Sequence, residues 1–275
     1  MKEMQIECGR MLPVIKWSGS KRSQADCITK LFPRYETYFE PFLGGGSVLI
    51  HACPERAVCG DICKPLIEFW QKLKDEPISL VEEYTKRWMR MQEEGYLVFY
   101  DIRDNFNRKQ NPDDLLFLSR TCVNGLIRFN RDGKFNNSLH HTRKGIEPAR
   151  LERLIFGWHK LIQDYEFVFT EYYNTTKTAS CKDFVYLDPP YFNTKGRYYG
   201  KIDYASFIEY LDKLNARGVK YLLSFDGMRG QKDFTVDIPK ELYKRHYLLD
   251  SGNASFKKVM DKSIEKVQES VYLNY

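Results

Sequence analysis

The residues best suited to do chemistry are Asp188-Pro189-Pro190-Tyr191, which directly follow the apolar stretch 184–187. An apolar stretch of this kind predicts a buried strand, and open α/β sheets bind ligands at the carboxyl ends of their strands. The two prolines lack backbone N–H donors, so this segment offers carbonyl acceptors. A carboxylate, a carbonyl and an aromatic face together suit a planar amine, with two acceptors for its N–H bonds and a ring for stacking. A purely structural turn is the alternative.

A second candidate is the glycine run Gly44-Gly45-Gly46, which precedes a short apolar stretch ending on Asp61. The run lacks the Gly-Lys-Ser/Thr ending of a P-loop and the G-x-G-x-x-G spacing of a dinucleotide site, so neither motif is present. What remains is a turn at which the backbone can approach a ligand closely, with an acid on the next strand placed for ribose hydroxyls. A plain tight turn is the alternative.

The chain has 275 residues, and its formal net charge of +6 is unevenly distributed. Residues 101–160 contain twelve Lys or Arg against seven Asp or Glu, whereas residues 61–100 contain six against eight. Within the basic part, the stretch 124–141 breaks the helical period, and the Arg-Asp-Gly-Lys run at 131–134 is a hairpin turn signal. A localised basic surplus is typical of a surface that meets a phosphate backbone, although a solvated basic face has the same composition.

Strand and helix patterns alternate at both ends of the chain, around a helical middle, which predicts an α/β sheet carrying an inserted domain. Strands are expected at 36–39, 56–62, 166–170, 184–187, 220–225, 242–249 and 269–275. Helices are expected at 23–32, over 65–107 with breaks at Pro77 and Gly95, and from Pro112 onward. Two further helices are expected at 47–52, with Ser47 as the N-cap, and at 207–217, ended by Gly218. We therefore divide the chain into a catalytic domain (1–62 and 165–275) and an insert (63–164).

Composition excludes several classes of protein. A hydrophobic content of 43% with 15% aromatics supports a packed core rather than a disordered or fibrous chain. No run approaches the roughly 18 apolar residues of a membrane helix, and the first ten residues lack the apolar region of a signal peptide. The seven cysteines are scattered and never spaced as C-x-x-C, which favours reduced thiols over a disulfide framework or a zinc site. The expected location is the cytoplasm, with no membrane partner.

Five motifs, in order along the chain, resemble those of DNA adenine-N6 methyltransferases, specifically the Dam-like (alpha) group. Two of them are Phe42-x-Gly44-x-Gly46 behind Glu40-Pro41, and the downstream run Asp188-Pro189-Pro190-Tyr191. A third, Lys16-Trp17-Ser18-Gly19-Ser20-Lys21, is similar to the group's N-terminal cofactor motif, and a fourth, Gly60-Asp61-Ile62, is similar to its ribose-binding acid. The fifth is Asn124-Gly125-Leu126-x-Arg128-Phe129-Asn130 with Phe135-Asn136, which is similar to its DNA-reading hairpin.

The resemblance implies a fold, a reaction and a partner. The fold is a Rossmann-like methyltransferase sheet with an inserted, mainly helical target-recognition domain that contains a β-hairpin. The reaction is site-specific transfer of a methyl group from S-adenosylmethionine to the N6 amine of adenine in double-stranded DNA, without a metal. The target base leaves the helix to reach the site, at a cost of about a few kcal/mol. An enzyme of this group is encoded by a prokaryote or a phage.

The resemblance also assigns roles to individual residues. The catalytic residues are Asp188, Pro189, Pro190 and Tyr191, with Tyr191 stacking on the flipped ring while the Asp188 carboxylate and the Pro189 carbonyl accept from N6–H. The cofactor-binding residues are Trp17, Lys21, Glu40, Pro41, Phe42, Gly44, Gly46, Asp61 and Asp188. The DNA-binding residues are Asn124, Leu126, Arg128, Asn130, Arg131, Lys134 and Asn136.

The chain departs from the family pattern at two places. Ser20 stands where a glycine is common, and Asn137-Ser138-Leu139 stands where many relatives carry a proline. The second change lies in the reading loop, so we carry over no recognition sequence. Methylation of cytosine N4 or of RNA adenine, and a DNA-binding module with a decayed site, are the alternative functions. We expect a monomer, and a cognate restriction endonuclease is a further partner consistent with the family.

Overall fold

A computed structural model of the chain describes residues 11–130, 132–140, 142, 145–190, 202–253 and 266–275. Two predicted site residues, Arg131 and Tyr191, lie outside this part. The strands are β1 (Tyr38–Glu40), β2 (Ala57–Asp61), β3 (Tyr165–Phe169), β4 (Phe184–Leu187), β5 (Lys220–Phe225), β6 (Met228–Arg229), β7 (Lys232–Asp233), β8 (Arg245–Asn253) and β9 (Lys266–Leu273). The helices are α1 (Ala25–Thr29), α2 (Ser47–Ala52), α3 (Lys64–Asp75), α4 (Pro77–Glu94), α5 (Leu97–Lys109), α6 (Pro112–Thr121), α7 (Pro148–Leu161), α8 (Tyr172–Thr175) and α9 (Tyr204–Ala216).

The strands form a mixed sheet in the order β3-β2-β1-β4-β5-β9. Strands β1 to β5 pair in parallel, and β9 joins β5 and β8 antiparallel. The chain runs outward from β1 through β2 to β3, and then returns to the other side of β1 as β4. This reversal is the switch point at which doubly wound sheets bind ligands. The predicted Rossmann-like α/β fold is confirmed.

Proline begins several of the helices, as the sequence indicates for α4 and α6. Pro65, Pro77, Pro112 and Pro148 all lie in the first turn of their helices, where a missing N–H costs no hydrogen bond. The breaks at Pro77 and Gly95 are confirmed, because α3, α4 and α5 are separated there. Gly218 has φ +68° just beyond α9, as expected of a residue that ends a helix.

The expectation that Ser47 caps α2 is wrong. The cap residue is Gly46, at φ +64°, and Ser47 is the first residue of the helix itself. The Ser47 hydroxyl pairs with the hydroxyl of Ser20 at 2.6 Å, and so joins the helix to the segment before α1. A left-handed residue at this position favours glycine, which explains the third glycine of the run without reference to a ligand.

Helices α3 to α7 lie between β2 and β3, which are neighbours in the sheet. They are not separated from the sheet by a gap, since one hydrophobic cluster includes residues of both. Trp70 of α3, for example, stacks on Phe167 of β3 at a centroid distance of 5.5 Å. The division into a catalytic domain (1–62 and 165–275) and an insert (63–164) therefore stays a prediction.

In the described part of the chain, five cysteines are free, namely Cys27, Cys59, Cys63, Cys122 and Cys181. Cys53 is disulfide-bonded, so the expectation of reduced thiols is wrong for that residue. Within the described ranges, no helix has the length and apolarity needed to cross a membrane.

Candidate active site

A cavity of about 230 Å³ opens at the carboxyl ends of β1, β2 and β4, at the switch point of the sheet. It brings together most of the residues that the sequence assigns to catalysis and cofactor binding. These are Trp17, Lys21, Glu40, Pro41, Phe42, Gly44, Asp61, Asp188, Pro189 and Pro190. The predicted assembly of distant motifs at one edge of the sheet is therefore present in the structure.

Asp188 lies directly beyond β4, and its carboxylate is held by Lys21. The Lys21 Nζ donates to Asp188 Oδ1 at 2.6 Å and lies 3.6 Å from Oε2 of Glu269 on β9. Burial raises the pKa of Asp188, the Lys21 ammonium lowers it and the Glu269 charge raises it, and together these effects place it at about 6. Asp188 is thus ionised at neutral pH and can accept hydrogen bonds. Lys21 is the residue that keeps this carboxylate charged.

Asp61 ends β2, and both of its oxygens accept backbone N–H groups. Oδ2 accepts from Gly44 at 3.2 Å, and Oδ1 accepts from Cys63 at 2.9 Å. Burial raises the pKa of Asp61 to about 6, and these backbone donors limit the rise. The carboxylate therefore ties the glycine turn to the end of β2, and each oxygen retains a lone pair with which it can accept from a ligand.

The glycines of the turn make room for indole rings. A Cβ at Gly44, where φ is +50°, would lie 2.8 Å from Cδ1 of Trp17. A Cβ at Gly46 would lie 2.9 Å from Cη2 of Trp70, and Gly46 is not among the residues that line the cavity. The structure places Gly44 at the site and Gly46 beneath it, as part of the packing of α2.

Glu40 ends β1 at the bottom of the cavity and is only 2% exposed. The Tyr38 hydroxyl donates to Glu40 Oε2 at 2.8 Å. Burial raises the pKa of Glu40 well above its usual value, the Tyr38 hydrogen bond lowers it, and the Asp188 charge raises it. Two acids that interact in one cavity favour protonation of the more buried of the pair.

Sequence reasoning missed one wall of the cavity. Phe42 stacks on Tyr172 at a centroid distance of 5.5 Å and an interplanar angle of 26°, and Glu171 lies beside this pair in the lining. Glu171 and Tyr172 follow β3 directly, so the rule that ligands bind at strand ends could have identified them. Tyr186, within β4, also lines the cavity, and no sequence motif indicated it.

The predicted DNA-reading hairpin forms a ribbon over residues 122–130 and 132–139, which we call the recognition ribbon. It is held by antiparallel bridges between Cys122 and Leu139 and between Phe129 and Phe135. At the turn, the Asn130 side chain accepts from the backbone N–H of Lys134 at 2.9 Å. The hairpin prediction is confirmed, although two isolated bridges take the place of a continuous ladder.

The two faces of the recognition ribbon differ in exposure. Six of the seven predicted DNA-binding residues lie on the exposed face, namely Asn124, Leu126, Arg128, Asn130, Lys134 and Asn136, and the seventh, Arg131, is outside the described residues. Between them, Ile127 and Phe129 are buried, at 2% and 6% exposure, and line the cavity. The ribbon thus presents polar and basic groups outward while its inner face forms part of the active-site wall. Sequence reasoning did not anticipate this second role.

Among the described residues, no group of three or more histidine, cysteine or acidic side chains is arranged to hold a metal ion. The cavity instead offers carboxylates, an aromatic pair and backbone groups. Carboxylates and stacked aromatic rings can bind a nucleoside-containing ligand.

Comparison with known proteins identifies a family. The family model of the D12 class N6 adenine-specific DNA methyltransferases matches residues 17–254. A DNA adenine methylase of Vibrio cholerae is 34% identical over 183 residues, which cover 64% of each chain. A DNA adenine methylase of Escherichia coli is 30% identical over 184 residues, again 64% of each chain. A type II methyltransferase of Methanocaldococcus jannaschii is 26% identical over 264 residues, covering 84% of this chain and 88% of that one.

The chain thus spans 64% of the length of the Vibrio relative. Among solved structures, an rRNA methyltransferase of Streptomyces viridochromogenes covers 99% of this chain and 93% of its own, with 9% identity and a TM-score of 0.41. A likeness of that size has no weight in the assignment. The family match extends from the Trp17 motif past the end of β8, and so includes both the cavity and the recognition ribbon. The chain belongs to the D12 class of N6 adenine-specific DNA methyltransferases.

Proposed function

We propose that the protein transfers a methyl group from S-adenosylmethionine to N6 of a flipped adenine in double-stranded DNA. The observation that carries this proposal is the Asp188 carboxylate at the end of β4, to which Lys21 donates at 2.6 Å in a cavity that Asp61 also lines. One carboxylate is then placed for a planar amine and another for ribose hydroxyls, at the edge of the sheet where both ligands can meet.

The cavity fits the methyl donor by the chemistry of its donor set. Asp61 would accept from the ribose hydroxyls, and the Phe42–Tyr172 pair offers an aromatic surface to the adenine ring, with Glu171 beside it. The Trp17 side chain packs against Gly44 and Gly45 of the glycine turn. When bound, S-adenosylmethionine supplies an activated methyl group on a sulfonium centre.

The residues of the chain act by positioning and electrostatics. Asp188 Oδ2 and the Pro189 carbonyl are the acceptors that we assign to the two N6–H bonds, while Oδ1 stays on Lys21. Withdrawal of those hydrogens from the plane of the ring directs the nitrogen lone pair towards the methyl group. Preorganised acceptors of this kind need no rearrangement during the reaction. Tyr191 is proposed to stack on the flipped base.

DNA is proposed to lie along the exposed face of the recognition ribbon. Arg128 and Asn136 are adjacent there, since the Asn136 N–H donates to the Arg128 carbonyl at 3.1 Å. Arginine recognises guanine edges with two hydrogen bonds, and asparagine does the same for adenine. Lys134 lies at the turn, where a phosphate contact is expected. The ribbon would therefore read bases along its two limbs and contact phosphate at its tip.

The proposed setting is the cytoplasm of a prokaryote or of a phage-infected cell, with a monomer acting on duplex DNA. A restriction endonuclease of the same specificity is a proposed partner. It is tested by asking whether the methylated duplex resists a nuclease encoded beside this chain.

The experiment that tests the function is methyl transfer from labelled S-adenosylmethionine to duplex DNA, followed by identification of the modified base. Label on adenine N6 supports the proposal, whereas label on cytosine N4 or on RNA alone would overturn it. Asp188→Ala should abolish transfer while DNA binding persists. The matched control is Asp212→Ala, which removes an exposed carboxylate of α9 and should leave transfer unchanged.

A further inference from the structure

A side-chain hydrogen bond joins the recognition ribbon to the loop 16–21, which we call the Trp17 loop. The Ser18 hydroxyl donates to the backbone carbonyl of Ile127 at 2.7 Å, across 109 positions of sequence. The two segments also touch where Gly125 lies against the Lys16 side chain, so closely that a Cβ at Gly125 would collide with it. The Trp17 loop and the ribbon are therefore packed against each other and locked by Ser18.

The position of Ile127 within the ribbon gives this hydrogen bond its significance. Ile127 lies between Leu126 and Arg128, which are exposed on the outer face, while its own side chain lines the cavity. A base contact by Arg128 or Leu126 acts one residue away from the carbonyl that Ser18 holds. A movement of the outer face when it binds DNA would therefore displace the Ile127 carbonyl, which accepts the Ser18 hydrogen bond.

The other end of the Trp17 loop reaches the reacting centre. Lys21 is three residues beyond Ser18 and donates to Asp188. Trp17 itself packs on Gly44 and Gly45, the turn that Asp61 holds. A displacement of Ser18 is therefore transmitted to the group that keeps Asp188 charged and to the turn beside the ribose-binding acid.

We propose that the hydrogen bond from Ser18 to the Ile127 carbonyl couples the reading of DNA to the binding of the cofactor. The inference rests on the proposed function, because it takes duplex DNA and S-adenosylmethionine as the two ligands. Ser18 is a positioning residue in this scheme: it acts through Lys21 and the glycine turn.

Coupling of this kind is reciprocal, so either ligand raises the affinity for the other by the same factor. A single net hydrogen bond corresponds to a factor of about 5 to 10 in an equilibrium constant. Loss of the Ser18 hydroxyl should therefore reduce the coupling factor by about that amount. The affinity for each ligand alone should change much less, since the bond joins two protein segments.

The chain offers a matched control two residues away. Ser20 lies in the same loop, also lines the cavity and also makes a hydroxyl hydrogen bond, but its partner is Ser47 of α2 and not the ribbon. Ser20→Ala thus removes an equivalent bond without touching the ribbon. Ser18→Thr retains the hydroxyl and should retain the coupling.

The experiment measures the dissociation constant of S-adenosylhomocysteine, the unreactive product, by calorimetry. Each protein is titrated alone, with a duplex bearing the methylated motif, and with a scrambled duplex. Wild type, Ser18→Thr and Ser20→Ala should bind the product more tightly with the motif duplex. In Ser18→Ala this gain should fall about 5- to 10-fold.

A second measurement needs no recognition sequence. Hydrogen exchange of wild type should show that S-adenosylhomocysteine protects the amides of Asn130 and Asn136, which bond across the ribbon. In Ser18→Ala that protection should be lost while the product still binds. If Ser18→Ala is too unstable for titration, the same hydrogen-exchange measurement is made on Ser18→Cys instead.

The inference is overturned if wild type shows no coupling, or if Ser18→Ala keeps the wild-type factor. It is likewise overturned if Ser18→Ala weakens each ligand alone with their ratio unchanged, since the bond would then be only structural. Failure of the proposed function is recognised separately in the labelling experiment, in which wild type would leave adenine N6 of duplex DNA unlabelled.

Discussion

Glu269 should control the pH at which Asp188 becomes active. The Lys21 Nζ lies 2.6 Å from Asp188 Oδ1 and 3.6 Å from Glu269 Oε2, so those two oxygens are at most about 6.2 Å apart. Two like charges at that distance repel by about 2.7 kcal/mol at an effective dielectric constant of about 20, which is about two pKa units. The Asp188 and Glu269 side chains are 19% and 16% exposed, so water weakens the repulsion between their charges. We expect that Glu269→Gln lowers the pKa of Asp188 by about one unit.

The sign of the effect follows from the role of the carboxylate. The pKa of Asp188 is about 6 in the folded protein, and the ionised carboxylate accepts from N6–H more strongly than the protonated acid does. Activity should therefore fall as the pH drops through about 6, and in Glu269→Gln through about 5. The pH profile of kcat/KM for S-adenosylmethionine is the assay, because it reports groups of the free enzyme. A raised folded-state pKa also means that this carboxyl lowers stability as pH rises from about 4 to about 6.

Asp250→Asn is the control for the charge change. Asp250 accepts from the Gln268 side chain on the neighbouring strand at 2.9 Å, so the variant removes a similar charge beside β9 without altering a contact of Lys21. Its profile should match wild type. An unchanged or upward-shifted acid limb in Glu269→Gln would refute the reasoning.

Three further outcomes are expected. Asp61→Asn should weaken S-adenosylmethionine binding about 10- to 150-fold by calorimetry, with DNA affinity retained; equal affinity would remove this residue from the cofactor site. Arg128→Ala should lose about 1–3 kcal/mol of binding free energy on the preferred site, and methylation profiling of a random library should show a relaxed preference at one base position. Lys134→Ala should reduce the dependence of DNA affinity on salt by about one unit of slope without changing the preferred motif. Gly46→Ala should lower the free energy of unfolding in urea by about 2–4 kcal/mol, from left-handed strain plus the Trp70 contact. Gly133 is the control, because its φ is +71° but a Cβ added there would meet no atom within 4 Å. Gly133→Ala should therefore lower the free energy of unfolding by the backbone strain alone, and an equal loss in the two variants would contradict this account.

The parts of the fold that sequence reasoning predicted are those specified by local chemistry. Pro77, Gly95 and Pro112 mark helix boundaries because the proline ring restricts the backbone and removes an N–H donor, whereas glycine lacks a Cβ and permits the positive φ angles that end a helix. The strand at 184–187 was predicted to the residue, because it is short, apolar and bounded by prolines on one side. Such signals depend on the residue itself and need no knowledge of its neighbours in space.

The features that the sequence did not reveal depend on contacts between distant segments. Nothing in the local pattern distinguishes Gly44, which lies at the cavity, from Gly46, which lies against Trp70. Glu269 comes near Lys21 only because β9 returns antiparallel to the sheet. The inward role of Ile127 likewise depends on how the ribbon is packed. In each case the partner is more than twenty residues away, where a pattern in one stretch carries no information about it.

The placement of five helices between β2 and β3 has a consequence for the order of folding. The paired residues Ala57 and Tyr165 are separated by more than one hundred positions, so this parallel pairing closes a long loop, and non-local pairings form slowly. Helices α3 to α6 contact one another over shorter separations, and their formation shortens the chain to be closed. We therefore expect β3 to join the sheet only after those helices have packed. Pulse-labelled hydrogen exchange would show the amides of α4 and α6 protected before those of β3, so that the helices preceding the recognition ribbon are assembled before the edge strand of the sheet.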